Sequence, residues 1–168
     1  KNGVGSINLR DGDELASVVI IKDEPMVLVT EHGYAIKFDS KEIGATGRMT
    51  TGMKGITLGD GDSLVAAIPV RNTEDSLALF TEVGLGKKLA PKELLAQKRG
   101  GKGLMCYKPT DSTGMVSAAT MIEDGDSVLI LGDKSSICID ATEIPTLGRP
   151  SIGNQVIKNS KILSVSKV

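Results

Sequence analysis

Stretches of this chain about 49 residues apart carry nearly the same residues in the same order. Set Gly3-Val4-Gly5-Ser6-Ile7-Asn8-Leu9-Arg10-Asp11-Gly12-Asp13-Glu14-Leu15 above Gly52-Met53-Lys54-Gly55-Ile56-Thr57-Leu58-Gly59-Asp60-Gly61-Asp62-Ser63-Leu64, and Gly, Ile, Leu, Asp, Gly, Asp and Leu recur in register. The frame runs on from 27–33 to 78–84, and more faintly to 129–135. A period of about 50 residues marks a propeller or similar array, whose units bury their apolar faces only against neighbours. The reading places units at 3–51, 52–99 and 100–152, with a closing strand in 153–168.

Inside a unit the apolar residues come in runs of about four to eight, such as 16–21 and 26–30, bounded by Asp, Gly and Asn. That is strand punctuation rather than a 3.6-residue period. With two Phe, two Tyr, no Trp and twenty Gly, the core has to be built from aliphatic side chains on short, turn-rich elements. Each unit therefore reads as about four antiparallel strands, one blade of an all-β, propeller-like ring. Lys161-Ile162-Leu163-Ser164-Val165 matches 63–67, so the array has three repeats with incomplete ends. It is either a fragment of a larger ring or a small array whose ends pair, since open edge strands invite aggregation.

The formal charge of −1 hides an uneven distribution. Residues 87–108 carry Lys87, Lys88, Lys92, Lys98, Arg99, Lys102 and Lys108 against Glu93 alone, a balance of +6. The segments on either side are net acidic. After Lys41-Glu42-Ile43, Lys92-Glu93-Leu94 and Thr142-Glu143-Ile144 come Gly-rich cationic turns: Gly47-Arg48, Arg99-Gly100-Gly101-Lys102-Gly103 and Gly148-Arg149. The densest is Gln97-Lys98-Arg99-Gly100-Gly101-Lys102-Gly103, where glycines let the backbone approach a surface while ammonium and guanidinium groups meet phosphate.

No apolar run approaches the roughly 18 residues of a membrane span, and the chain does not open on a secretory signal, so it reads as cytoplasmic. Cys106 and Cys138 lack the spacing of a zinc site and read as buried, reduced thiols. Asp11-Gly12-Asp13, Asp60-Gly61-Asp62 and Asp124-Gly125-Asp126 lack the closing Glu of a calcium loop and read as turns. Lys102 is followed by Gly103 rather than Ser or Thr, and Ala96 stands where a phosphate loop needs its first Gly, so no nucleotide site is indicated. His32, the single histidine, reads as a turn tip. No cofactor, metal site or catalytic constellation is expected.

The heptapeptide 97–103 resembles the Gln-Arg-Arg-Gly-Gly-Lys-Gly box of the C-terminal domain of bacterial type IIA topoisomerase A subunits, the gyrase and topoisomerase IV family. It departs from that pattern only at Lys98. Gly84-Leu85-Gly86-Lys87-Lys88-Leu89 is similar to the run that precedes the family's box, and 44–55 and 147–157 to its Gly-Arg-x-x-x-Gly blade signature. The box follows one full repeat here, and the repeats are fewer than the six blades of a gyrase domain. Neither Tyr34 nor Tyr107 stands beside an Arg, as the family's DNA-cleaving tyrosine does, and both read as strand residues.

The resemblance implies a β-pinwheel whose basic rim bends or wraps double-stranded DNA without doing chemistry of its own. It implies two partners, the rest of the topoisomerase's A chain and, through it, the ATPase B chain. The residues expected on DNA are Lys87, Lys88, Gln97, Lys98, Arg99, Gly100, Gly101, Lys102 and Gly103, with Arg48, Lys54 and Arg149 on other rims. The alternative is a protein-interaction propeller whose basic loops meet an acidic partner, although such surfaces are usually richer in aromatics than this chain.

Overall fold

In the computed structural model, which describes residues 3–168, β1 (Met26–Thr30) and β2 (Tyr34–Phe38) form a hairpin. Its counterparts are β4 (Ser76–Thr81) with β5 (Leu85–Leu89), and β8 (Ser127–Gly132) with β9 (Ser136–Asp140). The period of the sequence is thus the period of the hairpins. Every described sheet pairing between strands is antiparallel.

The remaining strands are β3 (Leu64–Pro69), β6 (Leu104–Met105), β7 (Val116–Ile122), β10 (Asn154–Gln155) and β11 (Ile162–Lys167). Three sheets result, in the orders β3-β1-β2-β6, β10-β5-β4-β7 and β11-β8-β9. The expectation of one blade per contiguous unit is corrected here. The first sheet takes its hairpin from the first unit, β3 from the second and β6 from the third. A repeat shows what recurs, but not which copy pairs with which; the long connections after each hairpin carry the chain across to its neighbour.

Both faces of the first two hairpins are covered, which is why β1 is buried at every position. Val27 and Val29 pack with Leu77, Leu79 and Leu89 between the first two sheets, while Ala78, Phe80, Val128 and Ile130 pack between the second and third. Met26, Leu28, Ile36 and Phe38 meet Ile56 on the far face of the first sheet. The hairpin turns carry glycines at φ +82° (Gly33) and +91° (Gly84), where a Cβ would stand 2.2 Å from the carbonyl oxygens of Tyr107 and Ile157. Only glycine fits there, because the chain returning from a later unit crosses directly over the turn.

β7 packs against both β3 and β11, and the three strands line a hollow of about 340 Å³ with small side chains such as Ala66, Ala67, Ser117 and Ala119. That side is the axis of the array, so β6 and β10 lie on its outer edge. At the end of the chain β11 pairs with β8 as β3 pairs with β1. The run 16–21, expected as a strand, is exposed without a ladder except for half-buried Ile21, because no hairpin among the described residues lies beside it. Nor do the two ends of the array pair among the described residues. No helix among the described residues is long and apolar enough to cross a membrane.

Candidate nucleic-acid interface

The cationic heptapeptide runs along the outer edge of the first sheet, between Ala96, which bridges to Lys37, and β6, which pairs with β2. The Gln97 N–H donates to the Lys37 carbonyl at 2.7 Å. Gly100 and Gly103 turn the chain at φ +84° and +79°. From outside, 55–57 clamps the loop: the Gly100 N–H donates to Gly55, the Thr57 N–H to Gly101, and the Thr57 hydroxyl to the Gly100 carbonyl at 2.7 Å. The loop is therefore a braced surface rather than a free turn.

Bracing consumes one of its three cations. The Arg99 guanidinium donates through Nε to the Glu42 carbonyl at 3.0 Å and through Nη1 to the Lys54 carbonyl, while the Arg99 N–H donates to the Glu42 carboxylate at 3.0 Å. Lys98 and Lys102 remain exposed, and Lys102 lies with its Nζ 4.8 Å from the centroid of the Tyr34 ring. A cation over an aromatic face loses side-chain freedom while keeping its charge toward solvent. Arg48 and Lys54 are exposed as well.

Lys87 and Lys88 are the main correction to the expected site. Both belong to β5, and their exposures are 1% and 4%. The Lys87 ammonium donates to the carbonyls of Gly148, Arg149 and Ser151 at 3.2, 2.7 and 2.6 Å, and burial lowers its pKa to about 8. Lys88 is paired with Asp124 at 2.5 Å. Adjacent strand residues point to opposite faces, and here both faces are covered. Two cations that a charge count assigns to the surface are thereby held inside.

Arg149 stands where Arg99 stands, one unit on, half-buried with its Nε 3.5 Å from the Glu93 carboxylate. Glu42 and Glu93 thus each hold the Arg of the next unit's loop rather than of their own, Glu42 through its carbonyl and carboxylate and Glu93 through its carboxylate. The repeat marks both glutamates as equivalent positions without showing this role. The legible signal is that a Glu precedes each Gly-Arg turn at a similar distance. The Lys102–Tyr34 stack has no such signal.

The other motifs fall outside this edge. The three Asp-Gly-Asp segments are turns, with φ of +84°, +70° and +100° at Gly12, Gly61 and Gly125. Two of them serve the fold: the Asp62 carboxylate accepts from the His32 N–H, fixing His32 at its hairpin turn, and Asp124 pairs with the buried Lys88. Tyr107 is buried and donates to the Thr113 carbonyl at 3.1 Å. Tyr34 does lie on a strand, but Tyr107 follows β6 outside any strand. Cys106 is buried, which raises its pKa to about 11, but Cys138 is exposed, contrary to expectation. It lies on β9, whose outer edge has no covering strand among the described residues.

Comparison with known proteins agrees with this geometry. A family profile described as the DNA gyrase C-terminal domain, beta-propeller, matches residues 1–22, 24–71 and 75–129. The chain is 38% identical to part of the A subunit of DNA gyrase from Clostridium acetobutylicum, covering 100% of this chain and 21% of that protein. It is 32% identical to the same gyrase protein from Lawsonia intracellularis, covering 94% and 20%. The chain thus spans about a fifth of the length of these relatives. Among solved structures, a DNA gyrase A C-terminal domain superposes with a TM-score of 0.92 at 30% identity, over 98% of this chain and 58% of that one. The C-terminal domain of a DNA topoisomerase IV gives 0.91 at 27%, over 97% and 52%.

Proposed function

Because the chain belongs to the family of DNA gyrase C-terminal β-propeller domains, we propose that it binds duplex DNA along its outer edge and bends the duplex around that edge. It acts by binding rather than by chemistry, in the cytoplasm. It serves DNA supercoiling or another change of topology carried out by the topoisomerase's A chain together with its ATPase partner.

The observation that carries this reading is the braced loop 97–103. Its backbone is fixed by Thr57 and Arg99, while Lys98 and Lys102 stay exposed beside Lys54. Point charges on a braced outer edge neutralise a phosphate backbone without reading bases, and Gln97 is the one amide side chain of this loop of a kind that could read them. The loop at 147–153 occupies the same place on the next sheet, so a duplex touches both only by curving. Smooth bending of a 20 to 30 base-pair site costs of order 1 to 6 kcal/mol, which added phosphate contacts offset.

Two measurements test the reading. With Lys87 and Lys88 buried and Arg99 largely bonded to protein, the available cations are Arg48, Lys54, Lys98, Lys102 and Arg149. Log affinity should then fall against log salt with a slope of about −4.5, at about 0.9 per contact. Affinity for duplexes of about 15 to 100 base pairs, corrected for overlapping sites, should rise with length as end-to-end energy transfer reports bending. A salt slope shallower than about −2 would favour an acidic protein partner. A flat length dependence would leave a simple basic patch.

A further inference from the structure

We propose that Lys87 is a positioning residue of the rim: inserted beneath the turn Gly148-Arg149-Pro150-Ser151, its ammonium gathers three backbone carbonyls and so sets where Arg149 presents its guanidinium. The proposal rests on the DNA-rim reading and assigns the buried lysine a part in it.

Three carbonyl oxygens, those of Gly148, Arg149 and Ser151, converge on one nitrogen at 2.6 to 3.2 Å. Oxygen dipoles aimed at a common point repel one another unless a donor sits between them. A lysine ammonium has three donors, and all three are used here. The Tyr107 ring, with its centroid 5.8 Å from Nζ, adds an aromatic face below. Among the described residues no carboxylate bonds this ammonium; Arg149 and its Glu93 partner lie on the adjoining loop and turn. The cation is thus held by the turn's backbone, and the turn by the cation.

Strand pairing does not require a lysine at this position. β2 places Ile36 there, where it lies 3.7 Å from the position of a Cβ on Gly101, and β9 places Ile137. Over Ile36 the loop is braced from outside by 55–57 and by Arg99. Around 148–151 the backbone bonds are the Leu147 N–H to Lys88 and the Ser151 N–H to Gly148, and no equivalent outer clamp is present among the described residues. Lys87 does from beneath what Thr57 and Arg99 do from above.

The hold is sensitive to pH. Burial is the main cause of the lowered pKa of Lys87, and the charged and titratable groups facing it are Cys106, Glu93, Tyr107 and Arg149. Cys106 and Tyr107 are themselves pushed up by burial and stay neutral where Lys87 loses its proton. Deprotonation near pH 8 removes one of three donors and the charge that draws the carbonyls together.

The test compares the unaltered chain with Lys87→Met, which keeps the length and removes the donors. Without DNA, hydrogen exchange at the Leu147 and Ser151 amides should quicken at least about tenfold in Lys87→Met while the β4 amides keep their protection. With DNA, Arg149→Ala should weaken binding several-fold in the unaltered chain and by less than about twofold on the Lys87→Met background, the coupling expected of residues acting as a unit. Unchanged exchange in the turn, or fully additive effects on binding, overturns the proposal. If no variant binds DNA, the exchange result still decides the positioning role, and the rim reading alone falls. Should Lys87→Met fail to fold, a ¹⁵N titration of the Lys87 ammonium in the unaltered chain takes its place. A midpoint near 8 with slow solvent exchange supports the proposal, and one near 10.5 with fast exchange overturns it.

Discussion

The loops at 97–103 and 147–153 occupy the same place on successive sheets and are held there by opposite means. The first is pinned from outside, by 55–57 and by the Arg99 guanidinium bonded to the Glu42 and Lys54 carbonyls. The second is pinned from inside, by the Lys87 ammonium under Gly148, Arg149 and Ser151. In each case a cation that a charge count assigns to the surface is spent on the backbone, while the other cations, exposed Lys98 and Lys102 on the first loop and half-buried Arg149 on the second, make no bond to it among the described residues. Part of the positive charge on this edge thus holds the backbone in shape.

The largest expected effect probes what the loops share. Past each loop the returning chain donates to a hairpin glycine: the Cys106 and Tyr107 N–H groups to the Gly33 carbonyl, and the Val156 and Ile157 N–H groups to that of Gly84. Gly33→Ala and Gly84→Ala should each cost about 2 to 4 kcal/mol, since a Cβ meets backbone oxygen at 2.2 Å in a left-handed conformation. Denaturant unfolding checks this. A large loss at one glycine and none at the other would mean that the two crossings are not equivalent.

A smaller effect separates the two arginines. Arg99→Ala removes hydrogen bonds to two carbonyls and should destabilise by about 1 to 2 kcal/mol. Arg149→Ala removes a half-exposed pair with Glu93 at 3.5 Å and should cost no more than about 0.5 kcal/mol. Equal losses on thermal unfolding would break the distinction between a bonded Arg99 and a freer Arg149.

The smallest effect is a pH term found beneath one loop only. In the folded chain the Lys87 pKa is about 8, against 10.5 for an unburdened lysine, so between these values the unfolded chain holds more protons and stability rises with pH. The cost of burying the charge is fully present below about pH 8 and relieved above it. Any stability advantage of Lys87→Met should therefore shrink between pH 7 and 10. A gap that widens over that range contradicts the sign. Ile36, in the same place under the first loop, contributes no such term.

Much of this is readable from the residues alone. The offset that aligns Gly33 with Gly84 locates the hairpins, and the glycine and cation spacing of 97–103 locates the loop that ends up outermost. The run 16–21 is legible as strand-like but not as unpaired, because β structure takes its hydrogen bonds from distant residues. The clasp roles of Glu42 and Glu93 stay hidden for the same reason: a carboxylate 57 residues from Arg99 in sequence shows its use only when two units meet.

The sequence by itself determined where the hairpins lie, since turn residues and apolar runs act locally, and it determined that the units are alike. Only the tertiary structure decided that a sheet is assembled from three different units, because pairing depends on which copy a connection can reach. It also decided which cations face solvent. Lys87 and Lys88 are as charged on paper as Lys98 and Lys102, but they lie on a strand covered on both faces, whereas the other two lie on a loop with one face open. Charge belongs to the residue, but exposure belongs to whatever packs against it.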